Sequence, residues 1–419
     1  MTLEQPKLRL GFIALTDCAP LVIAKARGLF EAEGLDVELS REVSWANIRD
    51  KVAIGALDGA HMLGPMPLAV NLGISGEQIP MIAPLSLNLN GSAITASTAL
   101  VAAMRAADPA AMSVRPRSAA ALRPVIAERR AAGAPLLCFA VVFAFSVHTY
   151  ALRYWLAAAG IDPDHDVRIV VTPPPRMTER LAQGDIDGFC VGAPWNAQAV
   201  ANGLGEILTY ASELWRVGPD KVFGLTEAWA DRHPATLTAV LRALIRAGAW
   251  ADEAENRPEL AAILARPHYV DAPEAVIAQS LVGSPPYAPG QPGGDTNDFI
   301  IYHRYAAGFP WRSHAVWFLT QMMRWGQIPP TTDVAAAALA YRPDLYRIAA
   351  QELGVPAPLI DEKVEGLHAA AWVLDEATAP IAMAPDLFFD GRRFDASQPG
   401  RYAGGFEIGR LRGSGATSA

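Results

Sequence analysis

Strand-length apolar runs alternate with helically spaced segments along the first half of the chain. Leu8-Arg-Leu-Gly-Phe-Ile-Ala-Leu15 reads as a short strand, Thr16-Asp17 as a turn, and the apolar spacing beyond it as a helix ending at Gly28. Val37-Glu-Leu39 is a second strand, Ser44 caps a helix that starts at Trp45, and residues 57–63 form a third strand before a helix opened by Pro65. Residues 79–89 make a strand that runs into Asn88-Leu-Asn-Gly91. A second block repeats the alternation. It has helix over 99–132, broken by Pro109, Pro116 and Pro124, a buried strand over 136–145 and a helix over 148–160. Strands follow over 167–172 and 188–191, the latter ending at the turn Gly192-Ala-Pro-Trp-Asn196.

Such alternation predicts an α/β protein with parallel sheets and helices on both faces. It suits a two-lobed, periplasmic-binding-protein-like (type II) fold with the ligand cleft between lobes, at the carboxyl ends of the strands. Residues 1–92 would begin the first lobe and 93–221 make the second. Residues 222–412 would return to the first lobe with a C-terminal helical extension, and 413–419 would be a flexible tail. Long helices over 234–253 and 257–265 and a Pro/Gly-rich loop over 284–294 belong to the return.

Composition narrows the function classes. With 419 residues, 51% hydrophobic and 19% charged, the chain is a well-buried globular protein. A net charge of −8 argues against direct nucleic-acid binding through a basic surface. No apolar run reaches the roughly 18 residues of a membrane span. Met1-Thr-Leu-Glu-Gln-Pro-Lys7 lacks the features of a signal peptide. Cys18, Cys138 and Cys190 are odd in number and have no metal-ligand spacing, which suits reduced, packed thiols. Both observations lead to the expectation of a cytoplasmic protein.

Common catalytic motifs are missing: there is no phosphate loop, GxSxG elbow, HExxH or strand-associated GxGxxG. Neither an enzyme nor a cofactor or metal is expected. Polar groups at strand ends remain. His148 follows an apolar strand at a helix start, and Gly192 ends Phe-Cys-Val-Gly in the same way. Both could donate hydrogen bonds to a small anion beside a helix N-terminus. Lys221, at the return to the first lobe, could supply a full charge, and Trp45 an indole N–H. Taken from spacing alone, each also fits a plainer role: a capping or core histidine, a turn glycine, a solvated lysine and a packing tryptophan.

Several segments together resemble the nitrate/bicarbonate-binding family of solute-binding proteins associated with nitrate-type ABC importers. They include Leu10-Gly-Phe-Ile-Ala-Leu-Thr-Asp17, Ser44-Trp45, Asp58-Gly-Ala-His61, Pro65-Met-Pro67, Leu87-Asn-Leu-Asn-Gly91, Phe189-Cys-Val-Gly192, Pro194-Trp-Asn196, Arg324-Trp-Gly326 and Phe388-Phe-Asp-Gly391. The resemblance implies an anion held between the lobes by Trp45, Ser92, His148, Gly192 and Lys221. A lysine at the last position favours nitrate or nitrite, since the bicarbonate-type relatives have an acidic group there that recruits a metal. Two positions depart from the transport proteins: Ser92 stands where they carry Gln, and Ala193 where they carry an acidic residue.

Within the family, the missing export signal and Phe143-Ala-Phe-Ser-Val-His148 resemble the NasS-type cytoplasmic nitrate/nitrite sensors. That resemblance implies a protein that sequesters a NasT-like, ANTAR-type RNA-binding antiterminator until the anion releases it. The alternative is the exported substrate-binding component of a nitrate-type ABC importer.

Overall fold

The structure, a computed structural model, describes residues 2–294 and 298–411. The expected tail over 413–419, and residue 412, lie outside the described residues. Strand β1 (Lys7–Ile13) shows the period of two that its sequence promised: Leu8, Leu10 and Phe12 are buried while Lys7 and Arg9 face water. It pairs in parallel with β2 (Asp36–Glu42) and β3 (Gly59–Leu63). Strand β4 (Met81–Asn90) is buried along its whole length. The chain then crosses through Gly91 into β5 (Ser92–Ser97), which belongs to a second sheet with β6 (Cys138–Val141), β7 (Arg168–Val171), β8 (Gly188–Gly192) and β9 (Gly205–Tyr210). It crosses back into β10 (Pro219–Thr226), and β11 (Ile300–Ile301) completes the first sheet.

The two sheets have strand orders β11-β4-β10-β3-β1-β2 and β7-β6-β8-β5-β9. This is a two-lobed periplasmic-binding-protein fold with two crossovers. The sheets are mixed rather than parallel as expected, because each crossover strand enters the other sheet reversed. Strand β10 runs antiparallel to β3 and β4, and β5 antiparallel to β8 and β9. The expected lobe boundaries move slightly for the same reason. Ser92 already pairs in the second sheet, and the chain rejoins the first sheet at Pro219, so Lys221 is a first-lobe residue.

Residues 136–145 do not form one strand. Only Cys138–Val141 pair, since Ser146 caps the following helix and holds Phe143 in the turn before it. The Ser146 hydroxyl accepts from the Thr149 N–H at 3.1 Å and donates to the Phe143 carbonyl at 2.8 Å. His148 is therefore the second residue of the helix Val147–Ala158.

The C-terminal part contains a two-stranded sheet of β12 (Trp372–Leu374) and β13 (Ile381–Met383) besides its helices. It touches both lobes. Tyr341 donates to the Gly64 carbonyl in the first lobe at 3.1 Å, whereas Tyr154 of the second lobe donates to Asp390 at 2.8 Å. One apolar core consequently runs through Trp45, Met66, Tyr150, Val191, Trp317 and Phe388 without respecting the lobe boundary. Among the described residues no helix is long and apolar enough to cross a membrane.

Candidate functional site

Segments of both lobes meet between the sheets. The turn after β1 brings Thr16 and Asp17 against the end of β8. The Thr16 N–H donates to the Ala193 carbonyl at 2.9 Å, and the Trp195 indole N–H donates to the Ala14 carbonyl at 3.1 Å. These bonds close the cleft at this point, and the groups behind them are sealed from water: Asp17, His61, His148 and Lys221 are all 0% exposed.

Lys221 is the centre of the cluster. Its Nζ lies 2.8 Å from Asp17 Oδ2 and 2.6 Å from Asp220 Oδ1. Neighbouring residues of a strand normally face opposite ways, but the pairing register of β10 slips on both sides of Lys221, so both side chains of Asp220-Lys221 reach the same place. The other oxygen of Asp17 lies 2.9 Å from His61 Nε2. His61 Nδ1 accepts from the Ile13 N–H at 3.4 Å, which leaves the imidazole proton on Nε2, facing Asp17.

The second lobe supplies Gly192 and His148. A methyl group added at Gly192 would stand 3.0 Å from Asp17 Oδ2 and 3.7 Å from His148 Nε2, so the glycine allows both side chains to approach the strand end. Among the described residues neither ring nitrogen of His148 has a hydrogen-bond partner, and nor does Trp45 Nε1. The Trp45 ring lies 5.1 Å from the His61 ring and 5.8 Å from Lys221 Nζ. Trp45 and His148 are the first and second residues of helices capped by Ser44 and Ser146, so both stand at positive helix ends. Ser92, opposite Gly192 in the β5–β8 ladder, borders a small pocket of about 30 Å³ together with Asp220, Asn90, Trp215 and Tyr154.

Burial and charge work against each other in this cluster. Burial alone would raise the Asp17 pKa, but Lys221 and His61 outweigh it and hold the carboxyl well below the usual range. Asp220 goes the other way: burial pushes it up to about 7, with Asp17 adding to the rise against the pull of Lys221. Burial would lower Lys221, yet the two carboxylates raise it. Both histidines are lowered, His148 well below an ordinary imidazole, by burial first and by the Lys221 charge as well. At neutral pH the site thus holds one ammonium, one firmly ionised carboxylate, one carboxyl that burial makes easier to protonate and two neutral imidazoles.

All five residues singled out from the sequence lie around this cluster, with Trp45, His148, Gly192 and Lys221 close together and Ser92 at the bordering pocket. Asp17, His61 and Asp220 were not singled out. Asp17 and His61 stand in segments that carried the family resemblance, but a Thr-Asp turn and a Gly-Ala-His strand look like capping and packing until the fold joins them.

A model of the NMT1-like family matches residues 1–265. The nitrate/nitrite binding protein NrtA of Synechococcus elongatus is 34% identical, over 98% of this chain and 88% of its own. The nitrate import ATP-binding protein NrtC of Synechocystis is 37% identical over 84% of this chain, which spans about half (51%) of that relative. Among solved structures, the periplasmic nitrate-binding protein NrtA from Synechocystis PCC 6803 superposes with a TM-score of 0.86 at 32% identity, covering 97% of this chain and 100% of that one. These matches correct the expected cytoplasmic address, since the solved relative, alike along nearly the whole chain, is a periplasmic protein. The seven residues before Leu8 were a poor guide to location.

Proposed function

The chain belongs to the NMT1-like family and, within it, to the nitrate-binding NrtA/CmpA-like solute-binding proteins, and on that premise we propose that it is the exported substrate-binding component of a nitrate-type ABC importer. Its lobes close on nitrate or nitrite, its role is binding rather than catalysis, and its partner is a membrane permease. The preference for a cytoplasmic sensor holding an ANTAR-type antiterminator drew on the cytoplasmic address, and it gives way to the importer reading with that address.

The observation that supports this most is the donor set beside Lys221. Among the described residues the ring N–H groups of His148 and Trp45 are buried without a partner, and unlike the orphaned indoles of Trp215 and Trp325 they stand at helix starts beside Lys221. A small planar oxyanion at Lys221 would satisfy them, with the ammonium supplying the charge. Isothermal titration of the purified chain with nitrate, nitrite and sulfate tests the reading. Saturable one-to-one binding of nitrate or nitrite, but not sulfate, is expected. His148→Ala should weaken it roughly 10- to 150-fold, the value of about 1.5–3 kcal/mol for a hydrogen bond to a charged group. Absence of binding by the wild-type chain, or unchanged affinity in His148→Ala, would overturn the assignment.

A further inference from the structure

The cluster around Lys221 contains more negative charge than an anion site can hold in a sealed space. Asp17 and Asp220 both contact the ammonium, at 2.8 and 2.6 Å, and both are buried. An anion hydrogen-bonded to that ammonium at about 2.8 Å would lie within roughly 5 Å of Asp220 Oδ1. Were both carboxyls ionised, the anion would be the third negative group around one positive charge. The helices that start at Trp45 and Val147 offset about half a charge each, which leaves one negative charge uncompensated. Groups this close and this dry do not all ionise; one takes a proton.

We propose that the chain binds its anion together with one proton, and that the Asp220 carboxyl is the group that receives it. This rests on the anion-binding role proposed above and adds the residue that tunes affinity. Asp220 is the group suited to the task. Asp17 is held ionised by two titratable partners, Lys221 and His61, while Asp220 shares the lysine, meets the neutral Asn88 amide and also borders the pocket beside Ser92. The other titratable groups facing it are Asp17 from the turn after β1, Lys221 from its own strand and Cys190 from β8, with His61 and His148 beyond Asp17. The thiol of Cys190 is raised by burial and stays neutral, and both imidazoles are lowered, so none of the three competes for the proton near neutrality. The Asp220 pKa, raised to about 7 mainly by burial, places the titration within reach of ordinary buffers. Once protonated, the carboxyl becomes a donor and can hydrogen-bond the anion that its ionised form would repel.

Below the Asp220 pKa the proton is already present and affinity is flat with pH. Above it each bound anion must draw a proton from solution, and affinity falls by up to tenfold per pH unit. Titration with sodium nitrate at pH 5.5 and 8, each in two buffers of different ionisation enthalpy, counts the protons. The wild-type chain should take up almost none at pH 5.5 and close to one at pH 8. Asp220→Asn, whose amide mimics the protonated carboxyl, should bind with no proton uptake and a pH-independent Kd. No uptake by the wild-type chain at pH 8 would overturn proton coupling whatever the variant does. Continued uptake by Asp220→Asn would overturn the assignment to Asp220. Failure of nitrate to bind at pH 5.5 would instead sink the anion-binding reading itself, and this one with it.

Discussion

Lys221 shares its charge between two carboxylates, and the residues around it divide into those that set that charge and those that offer donors. Gly192 belongs to neither group; it provides room. A methyl group there would press on Asp17 Oδ2 at 3.0 Å, and overpacking of this kind costs about 1–3 kcal/mol. Gly192→Ala should therefore lower nitrate affinity about tenfold while the chain still folds, as read by titration alongside thermal melting. Unchanged affinity would show that Asp17 need not stand where it does. At this scale the sequence pointed to Trp45, Ser92, His148, Gly192 and Lys221, which the fold gathers around one cluster, and passed over the acids. Trp45, His148 and Gly192 announce themselves at strand-to-helix junctions. The balance of Asp17 and Asp220 on one lysine depends instead on the turn after β1, two strands away from β10 in the sheet, and on a register slip in β10, which no local spacing displays.

At the scale of elements, the helix Val147–Ala158 carries the most responsibility, because it aims His148 from its second position. Its start is fixed by Ser146, which is buried and bonded both to the Thr149 N–H and to the Phe143 carbonyl. Ser146→Ala should cost about 1–2 kcal/mol of stability, visible as a lower denaturation midpoint, and should weaken anion binding as the first helical turn frays. A variant that melts like the wild type would contradict the cap's role. The same junction explains why the apolar run over 136–145 read as one strand. Its composition is apolar throughout, and the single serine that ends the strand early looks unremarkable in sequence. Strand β10 was missed for the opposite reason. Gly218, Pro219 and Gly224 punctuate it like a loop, yet its backbone is held on both sides, by β3 and β4. Alternation of strands and helices conveyed the α/β class; it could not convey that the two crossover strands run against their neighbours.

Across the whole molecule, two crossovers connect the lobes and further contacts hold them together. Thr16 and Trp195 bind across the cleft, and the C-terminal extension joins Gly64 of one lobe to Tyr154 of the other through Tyr341 and Asp390. The proposed anion site lies behind these contacts, fully buried, so on that proposal a ligand would reach it only when the lobes part. Two lobes were legible from length and periodicity. The lacing by the extension was not, because its partners are separated by more than 200 residues in the chain. The most direct measurement is a crystal structure of the protein grown with nitrate. One planar anion is expected between the lobes, within hydrogen-bond distance of Lys221 Nζ, a ring nitrogen of His148 and Trp45 Nε1. Nitrate elsewhere, with Lys221 still bound to Asp17 and Asp220 alone, would contradict it.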